Sequence, residues 1–178
     1  NEEKRIEPRI LVEDKSKSNT QHDLSTENML IHGDNLIALK ALEQDYAGKI
    51  KCIYIDPPYN TGNAFEHYDD GVEHSLWLNL MYERLNILKN LLSNDGVIIV
   101  QLDKNEMAYA KVMMDEIFGR SNFITTVAVR MSATSGFKIE HSDKTIVKNV
   151  EFLHIYSKNL DIKPAYEKTD YDSHYSYI

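Results

Sequence analysis

The sequence predicts an α/β open sheet, mostly parallel and finished by an antiparallel pair of strands. Three observations predict it. Short β-rich runs alternate with segments of helical apolar spacing, in the order strand, helix, strand, helix, strand, helix, strand, strand. Residues 97–102 are almost continuously apolar, as expected of a strand covered on both faces. An aspartate follows each of the first three strands (Asp34, Asp56, Asp103), and in open α/β sheets ligands gather outside the carboxyl ends of the strands.

The elements follow in order. Residues 1–27 alternate charges with Ser, Asn and Thr without a sustained period and read as a charged N-terminal extension. Met29-Leu30-Ile31-His32 has the pattern of a short buried strand meeting a turn at Gly33-Asp34. Asp34 is placed to cap the next helix, where Leu36, Ile37, Leu39 and Leu42 fall at helical spacing and Gly48 ends the region. Ile50–Ile55 is the second strand, and Asp56-Pro57-Pro58 bounds it because a ladder cannot continue through two prolines. Polar residues 60–74 read as a loop. Leu76, Leu80, Met81, Leu85, Leu88 and Leu92 predict a helix over about 75–92, stopped by Asn94-Asp95-Gly96. After the strand at 97–102, Asp103 and Glu106 have the spacing of a capping box, and the helix they open runs to Phe118 with Gly119 just past its end. Residues 123–130 and 150–156 are the last two strands, separated by a long polar loop that carries Lys138, Lys144 and Lys148. The core is therefore expected over 28–160, and 161–178 reads as a linker or the start of a further segment.

Composition narrows the function classes. At 178 residues the chain is one domain in size, and 42% hydrophobic residues suffice for a core. A lone Cys52 excludes an internal disulfide scaffold and any Cys-based zinc module, and it suits a reducing compartment. No run of about 18 apolar residues is present to span a bilayer, and residues 1–9 have no signal-peptide character. A net charge of −8 argues against a wholly basic nucleic-acid binder while leaving room for a local basic patch, such as residues 130–148.

Asp56-Pro57-Pro58-Tyr59 carries the chemistry. A chosen tetrapeptide arises by chance in about one chain in a thousand of this length, and this one directly follows an apolar strand. Two prolines fix φ and remove two amide donors, so the turn presents carbonyl oxygens without competing N–H groups. A carboxylate, a bare carbonyl and an aromatic face together suit a planar amine on a ring. Adenine fits. Its N6 is a poor nucleophile because the lone pair is delocalised. If Asp56 and the Pro57 carbonyl accept both N6 hydrogens, the nitrogen pyramidalises and its lone pair points outward, toward an electrophilic methyl. Tyr59 would stack on the base, worth about 1–3 kcal/mol by analogy with single-strand binding, after the base is flipped from the duplex. The competing reading is a rigid structural turn.

Asp56-Pro57-Pro58-Tyr59 with Asn60-Thr61-Gly62 resembles the catalytic motif of amino-group DNA adenine methyltransferases that use S-adenosylmethionine. His74-Ser75-Leu76-Trp77-Leu78, Arg84-Leu85, Asp95-Gly96, Asp115-Glu116-Ile117-Phe118-Gly119 and Asn122-Phe123 are similar to the modification subunits of type III restriction systems, as is Gly33-Asp34-Asn35-Leu36 upstream. The resemblance covers about residues 28–160. It implies a Rossmann-like methyltransferase sheet, incomplete here. It also implies catalytic roles for Asp56, Pro57, Pro58 and Tyr59, and cofactor contacts for Asp34 and Asp56. The implied setting is a cytoplasmic homodimer acting on double-stranded DNA beside a helicase-nuclease restriction subunit. One departure stands out: the family's glycine-rich Phe-x-Gly-x-Gly cofactor motif is absent, so the chain is expected to be the front part of an enzyme, inactive and weak in cofactor binding alone. Two alternatives stay open: an amino-methyltransferase acting on RNA, and a catalytically silent binding or assembly module.

Other chemistries find little support. No P-loop, Gly-x-Ser-x-Gly elbow or His-Glu-x-x-His is present. His67 and His74 flank Asp69 and Asp70, but a solvated loop explains them better than a metal site. Glu83 and Arg84 read as a solvated helix face.

Overall fold

Asp34 opens the first helix by accepting the amide hydrogens of Leu36 and Ile37 on Oδ1, at 3.0 and 3.1 Å, the N-cap role its position predicts. The computed structural model describes residues 9–18, 28–58, 74–131 and 150–159. Its elements are α1 (Asn35–Tyr46), β1 (Ile50–Ile55), α2 (His74–Leu91), β2 (Leu92–Leu102), α3 (Met107–Phe118), a 3-10 turn at Arg120–Asn122, β3 (Phe123–Arg130) and β4 (Val150–Ser157). Gly119 closes α3 at φ +92°, donating its amide to the Asp115 carbonyl. Of the N-terminal extension, residues 9–18 are described; all are exposed except the half-buried Ser18, and Asp14 organises a turn there.

The sheet order is β1-β2-β4-β3. β1 and β2 pair in parallel, whereas β4 is antiparallel to both β2 and β3. The expected mostly parallel sheet is thus a mixed one. The reason lies in where β4 goes: β1, β2 and β3 run the same way, but β4 inserts between β2 and β3 and turns what would be a second parallel ladder into two antiparallel ones. The antiparallel pair at the chain's end is present as expected.

Met29-Leu30-Ile31-His32 forms no strand, and Leu30 is 100% exposed. A short apolar run becomes a strand only when a ladder partner takes up its N–H and C=O groups, and the four described strands pair only among themselves. The outer edge of β1 meets no described strand.

The second helix and its strand also depart from expectation. No turn separates them: α2 ends at Leu91 and β2 begins at Leu92, running through Asn94-Asp95-Gly96. The ladder register shifts between Ile50↔Leu92 and Cys52↔Val97, so β2 carries the extra residues as an irregularity against β1. Gly96 is needed there. A Cβ at this position would lie 2.8 Å from the Ile50 carbonyl oxygen and 2.9 Å from Leu92 Cδ2. Gly96→Ala should lower stability by about 1–3 kcal/mol, the usual range for overpacking, read as a reduced urea midpoint at unchanged slope.

One apolar layer joins helices to sheet. Trp77, Met81, Leu85, Leu88 and Leu91 of α2 and Ala110, Met113, Met114, Ile117 and Phe118 of α3 form one cluster with Ile53, Ile98, Val100, Leu102 and Tyr156. The buried stripe of α2 is rotated from the expected one: Trp77 is buried, whereas Leu76 is 55% exposed. Arg84 is not a solvated side chain either, since it donates to Asn35 Oδ1 at 2.7 Å and to the Leu80 carbonyl at 2.9 Å.

His154 on β4 is buried under the start of α3. Its Nε2 donates to the Met107 carbonyl at 2.7 Å, which leaves Nδ1 to accept from the Thr126 hydroxyl at 2.8 Å. Burial disfavours the imidazolium and lowers its pKa, with Lys111 adding to the effect and the Met107 bond and Asp115 opposing it. A histidine with a lowered folded-state pKa binds fewer protons folded than unfolded. Its contribution is therefore complete above the unfolded value and declines as pH falls through about 6.5 toward the folded value. Urea midpoints should drop between pH 7 and 5, and His154→Gln should flatten that portion of the profile. An unchanged slope in the variant would refute the assignment.

Candidate active site at the carboxyl end of the parallel pair

Asp56 directly follows β1 and is exposed, with Pro57 and Pro58 half-buried behind it. The Pro58 carbonyl accepts the indole N–H of Trp77 at 2.6 Å. The Pro58 carbonyl is therefore held by α2, and the carbonyl expected to act as an acceptor, that of Pro57, is the one next to Asp56 in the chain. Tyr59 and the polar segment after it, to residue 73, lie outside the described residues, as do His67 and residues 132–149.

Asp103 lies at the same end of β2. Because Ile55 is level with Val100 in the parallel ladder, Asp56 and Asp103 emerge from neighbouring strands on one side of the sheet. The Asp103 carboxylate accepts the Asn105 amide and the Asn105 side-chain N–H, both at 2.8 Å. Burial nonetheless pushes its pKa above the ordinary carboxylate value, against the Asn105 and Glu106 amides that pull it down.

Of the expected capping box, the Asp103 side is present: its carboxylate takes the amides of Asn105 and Glu106. α3 begins at Met107, and Glu106 makes no side-chain cap bond. Its carboxylate, 3% exposed, meets His74, whose Nδ1 is hydrogen-bonded to Oε1 at 3.0 Å and lies 2.9 Å from Oε2. The Tyr109 ring stands edge-on to His74, with centroids 4.2 Å apart. His74 is thus in contact with a carboxylate; among the described residues no group of three or more His, Cys, Asp or Glu side chains is placed to hold a metal, and His67, Asp69 and Asp70 lie outside them.

Asp34 sits at the head of α1. Arg84 contacts Asn35 at the start of α1, and Asn90 donates to Glu43 at 2.9 Å further along. The two helices therefore run in the same direction, and the head of α1, next to Asp34, meets α2 at Arg84, within the span of α2 rather than at its start. Its Oδ1 is used in capping α1. The fold brings Asp56, Asp103, Trp77, His74 and Glu106 together and sets Asp34 one helix away.

Trp77 and the His74–Glu106 pair are the residues to which sequence reasoning assigns no role of their own. The signal for Trp77 is present: Trp77, Met81, Leu85 and Leu88 continue one helical stripe as well as the leucines do. No local signal pairs His74 with Glu106, 32 residues apart.

The DNA methylase family matches residues 50–176, a span that contains the Asp56-Pro57-Pro58 turn and all four strands. The chain belongs to that family. This DNA methylase chain is 47% identical over 147 residues to the probable type III restriction-modification enzyme HindVI Mod subunit of Haemophilus influenzae, a match covering 81% of the chain and 20% of that protein. It is 34% identical over 183 residues to the type III restriction-modification enzyme EcoPI Mod subunit of Escherichia phage P1, covering 86% and 28% respectively. The chain thus spans between a fifth and a third of the length of these relatives. In fold, it is similar to the crystal structure of the M1.HpyAVI–SAM complex, with a TM-score of 0.52 at 16% identity over 81% of this chain and 60% of that one. No helix among the described residues is long and apolar enough to cross a membrane.

Proposed function

We propose that the protein containing this chain transfers a methyl group from S-adenosylmethionine to N6 of an adenine flipped out of double-stranded DNA. The observation that carries this reading is the exposed Asp56 carboxylate followed by the Pro57 carbonyl, at the carboxyl end of β1, in a chain of the DNA methylase family. The type III modification subunits among its relatives support it.

In this mechanism Asp56 and the Pro57 carbonyl each accept one N6 hydrogen and pyramidalise the nitrogen, whose lone pair then points away from them. Pro58 fixes the turn, and Tyr59 stacks on the base. The acceptors Asp34 and Asp56 suit a cofactor whose ribose hydroxyls and amino group are donors. When bound, S-adenosylmethionine supplies an electrophilic methyl on a positively charged sulfur. Transfer would break the methyl–sulfur bond, with its electron pair kept by the neutral thioether, and Asp56 would take the proton that the methylated, more acidic nitrogen loses. The division into an N-terminal extension (1–27), a catalytic core (28–160) and a following segment (161–178) belongs to the same reading. So do a homodimer, a restriction subunit as partner and a cytoplasmic location, where the DNA substrate is.

The full-length protein, given methyl-labelled S-adenosylmethionine and duplex DNA, should place label on N6-methyladenine recovered from the duplex. Label on cytosine, label on RNA alone, or none would overturn this reading.

A further inference from the structure

We propose that Trp77 is a positioning residue for the Asp56-Pro57-Pro58 turn, and that the contact of His74 with the buried Glu106 carboxylate anchors the helical turn that carries it. This rests on the methyl-transfer reading above.

The turn is poorly equipped to fix itself. Pro57 and Pro58 have no N–H to donate, so its orientation beyond β1 depends on what its carbonyls accept. The Pro58 carbonyl accepts from Trp77 Nε1 at 2.6 Å. The Trp77 ring is 2% exposed within the main apolar cluster, so the donor comes from a side chain that packing already holds in place. Trp77 lies in the first turn of α2, three residues after His74.

His74 is held in turn by Glu106, whose carboxylate is buried just beyond the end of β2. The Glu106 carboxylate is buried while the His74 ring is partly exposed, and because a buried carboxylate is costly to leave without its partners, this contact ties the start of α2 to the start of α3. The ends of the two parallel strands are therefore linked through one helical turn: β2 to Glu106, Glu106 to His74, His74 along α2 to Trp77, and Trp77 to the carbonyl two residues after Asp56. A misplacement of the carboxylate by a fraction of an ångström misdirects the N6 lone pair, so this linkage acts on the rate of methyl transfer rather than on capture of DNA.

Single-turnover methylation by the full-length protein on saturating duplex tests this, because it separates a rate constant from an amplitude. Trp77→Phe keeps a buried ring and removes the N–H. The rate constant should fall about tenfold, the effect of roughly one hydrogen bond felt in the transition state, with the amplitude and the duplex Kd unchanged. Glu106→Leu should also slow transfer, and Glu106→Gln, which retains an acceptor for His74, should recover most of the rate. In the Trp77→Phe/Glu106→Leu double variant the losses should be less than additive, the mark of residues acting through one linkage. A wild-type rate constant in Trp77→Phe, or a lowered amplitude at an unchanged rate constant, would reduce Trp77 to a core residue and overturn the proposal. Should Glu106→Leu fail to fold, the Trp77→Phe result decides alone. A fast Trp77→Phe beside a dead Asp56→Ala defeats positioning only. A near-normal Asp56→Ala, or a wild-type protein that does not methylate adenine, defeats the methyl-transfer reading itself.

Discussion

Asp56→Ala in the full-length protein is expected to lower single-turnover methylation by about 10²–10³-fold, the loss seen when one preorganised polar contact to a reacting group is removed. The carboxylate is the acceptor for one N6 hydrogen, and without it the Pro57 carbonyl alone cannot steer the lone pair. Stability should hardly change, because Asp56 is exposed and lies outside the ladder of β1. Duplex affinity should also be nearly intact, since phosphate contacts dominate it. Rate constants on saturating DNA, together with a separate measurement of Kd, distinguish these outcomes. Near-normal turnover would make the turn structural and remove Asp56 from the mechanism.

Tyr156→Ala should destabilise the fold more than Gly96→Ala or His154→Gln. The Tyr156 ring is fully buried, with ring centroids 5.2 Å from Phe123 and 5.8 Å from Phe118. Its hydroxyl donates to Asp115 Oδ1 at 2.6 Å and lies 3.2 Å from the Lys111 carbonyl. Lys111 binds the same carboxylate at 2.7 and 2.8 Å and extends its ammonium over the Phe123 ring, 4.1 Å from the centroid. Burial, and then the Asp115 carboxylate, push the phenol pKa well up, so the donor stays protonated. Burial by itself would raise the Asp115 pKa, but Lys111 and Tyr156 outweigh it and leave it lowered. Truncation to alanine leaves a cavity and removes one of two donors to Asp115 Oδ1, Lys111 remaining as the other, and about 3–5 kcal/mol is expected from large-to-small aromatic changes. Tyr156→Phe keeps the packing and loses only a bond to a charged group, worth about 1.5–3 kcal/mol. Equal urea midpoints for the two variants would mean that the ring contributes nothing, and the packing account would fail.

Elements with a local cause are legible in the sequence. Gly119 closes α3 because glycine tolerates φ +92°, and Asp34 caps α1 through amides two and three residues away. The strand expected at 123–130 matches β3 to the residue, and the one expected at 150–156 is short of β4 by Ser157. Where the cause is distant, the sequence misleads. Met29-Leu30-Ile31-His32 has the composition of a strand and no ladder to join. Asn94-Asp95-Gly96 has the composition of a stop signal, yet β2 passes through it because the irregular register against Ile50 and Cys52 accommodates the extra residues. Glu106 has capping spacing and its amide does bond to Asp103, but its carboxylate also meets a histidine 32 residues away that no spacing rule points to. The composition of the Pro-Pro turn suggests carbonyls without competing amides, but not that the Trp77 indole takes the one on Pro58.

The α/β class, the elements from α1 to β4, and the Asp56-Pro57-Pro58-Tyr59 motif with the chemistry it suggests all follow from the sequence alone. They depend on spacing, backbone restriction and side-chain type, which act within a few residues along the chain. Folding in three dimensions adds two arrangements that no local signal carries. β4 inserts between β2 and β3, and Trp77 and the His74–Glu106 contact stand behind the turn. Those arrangements depend on which ladder edges are satisfied and which buried polar groups find partners, and both conditions are met by residues far apart in the chain.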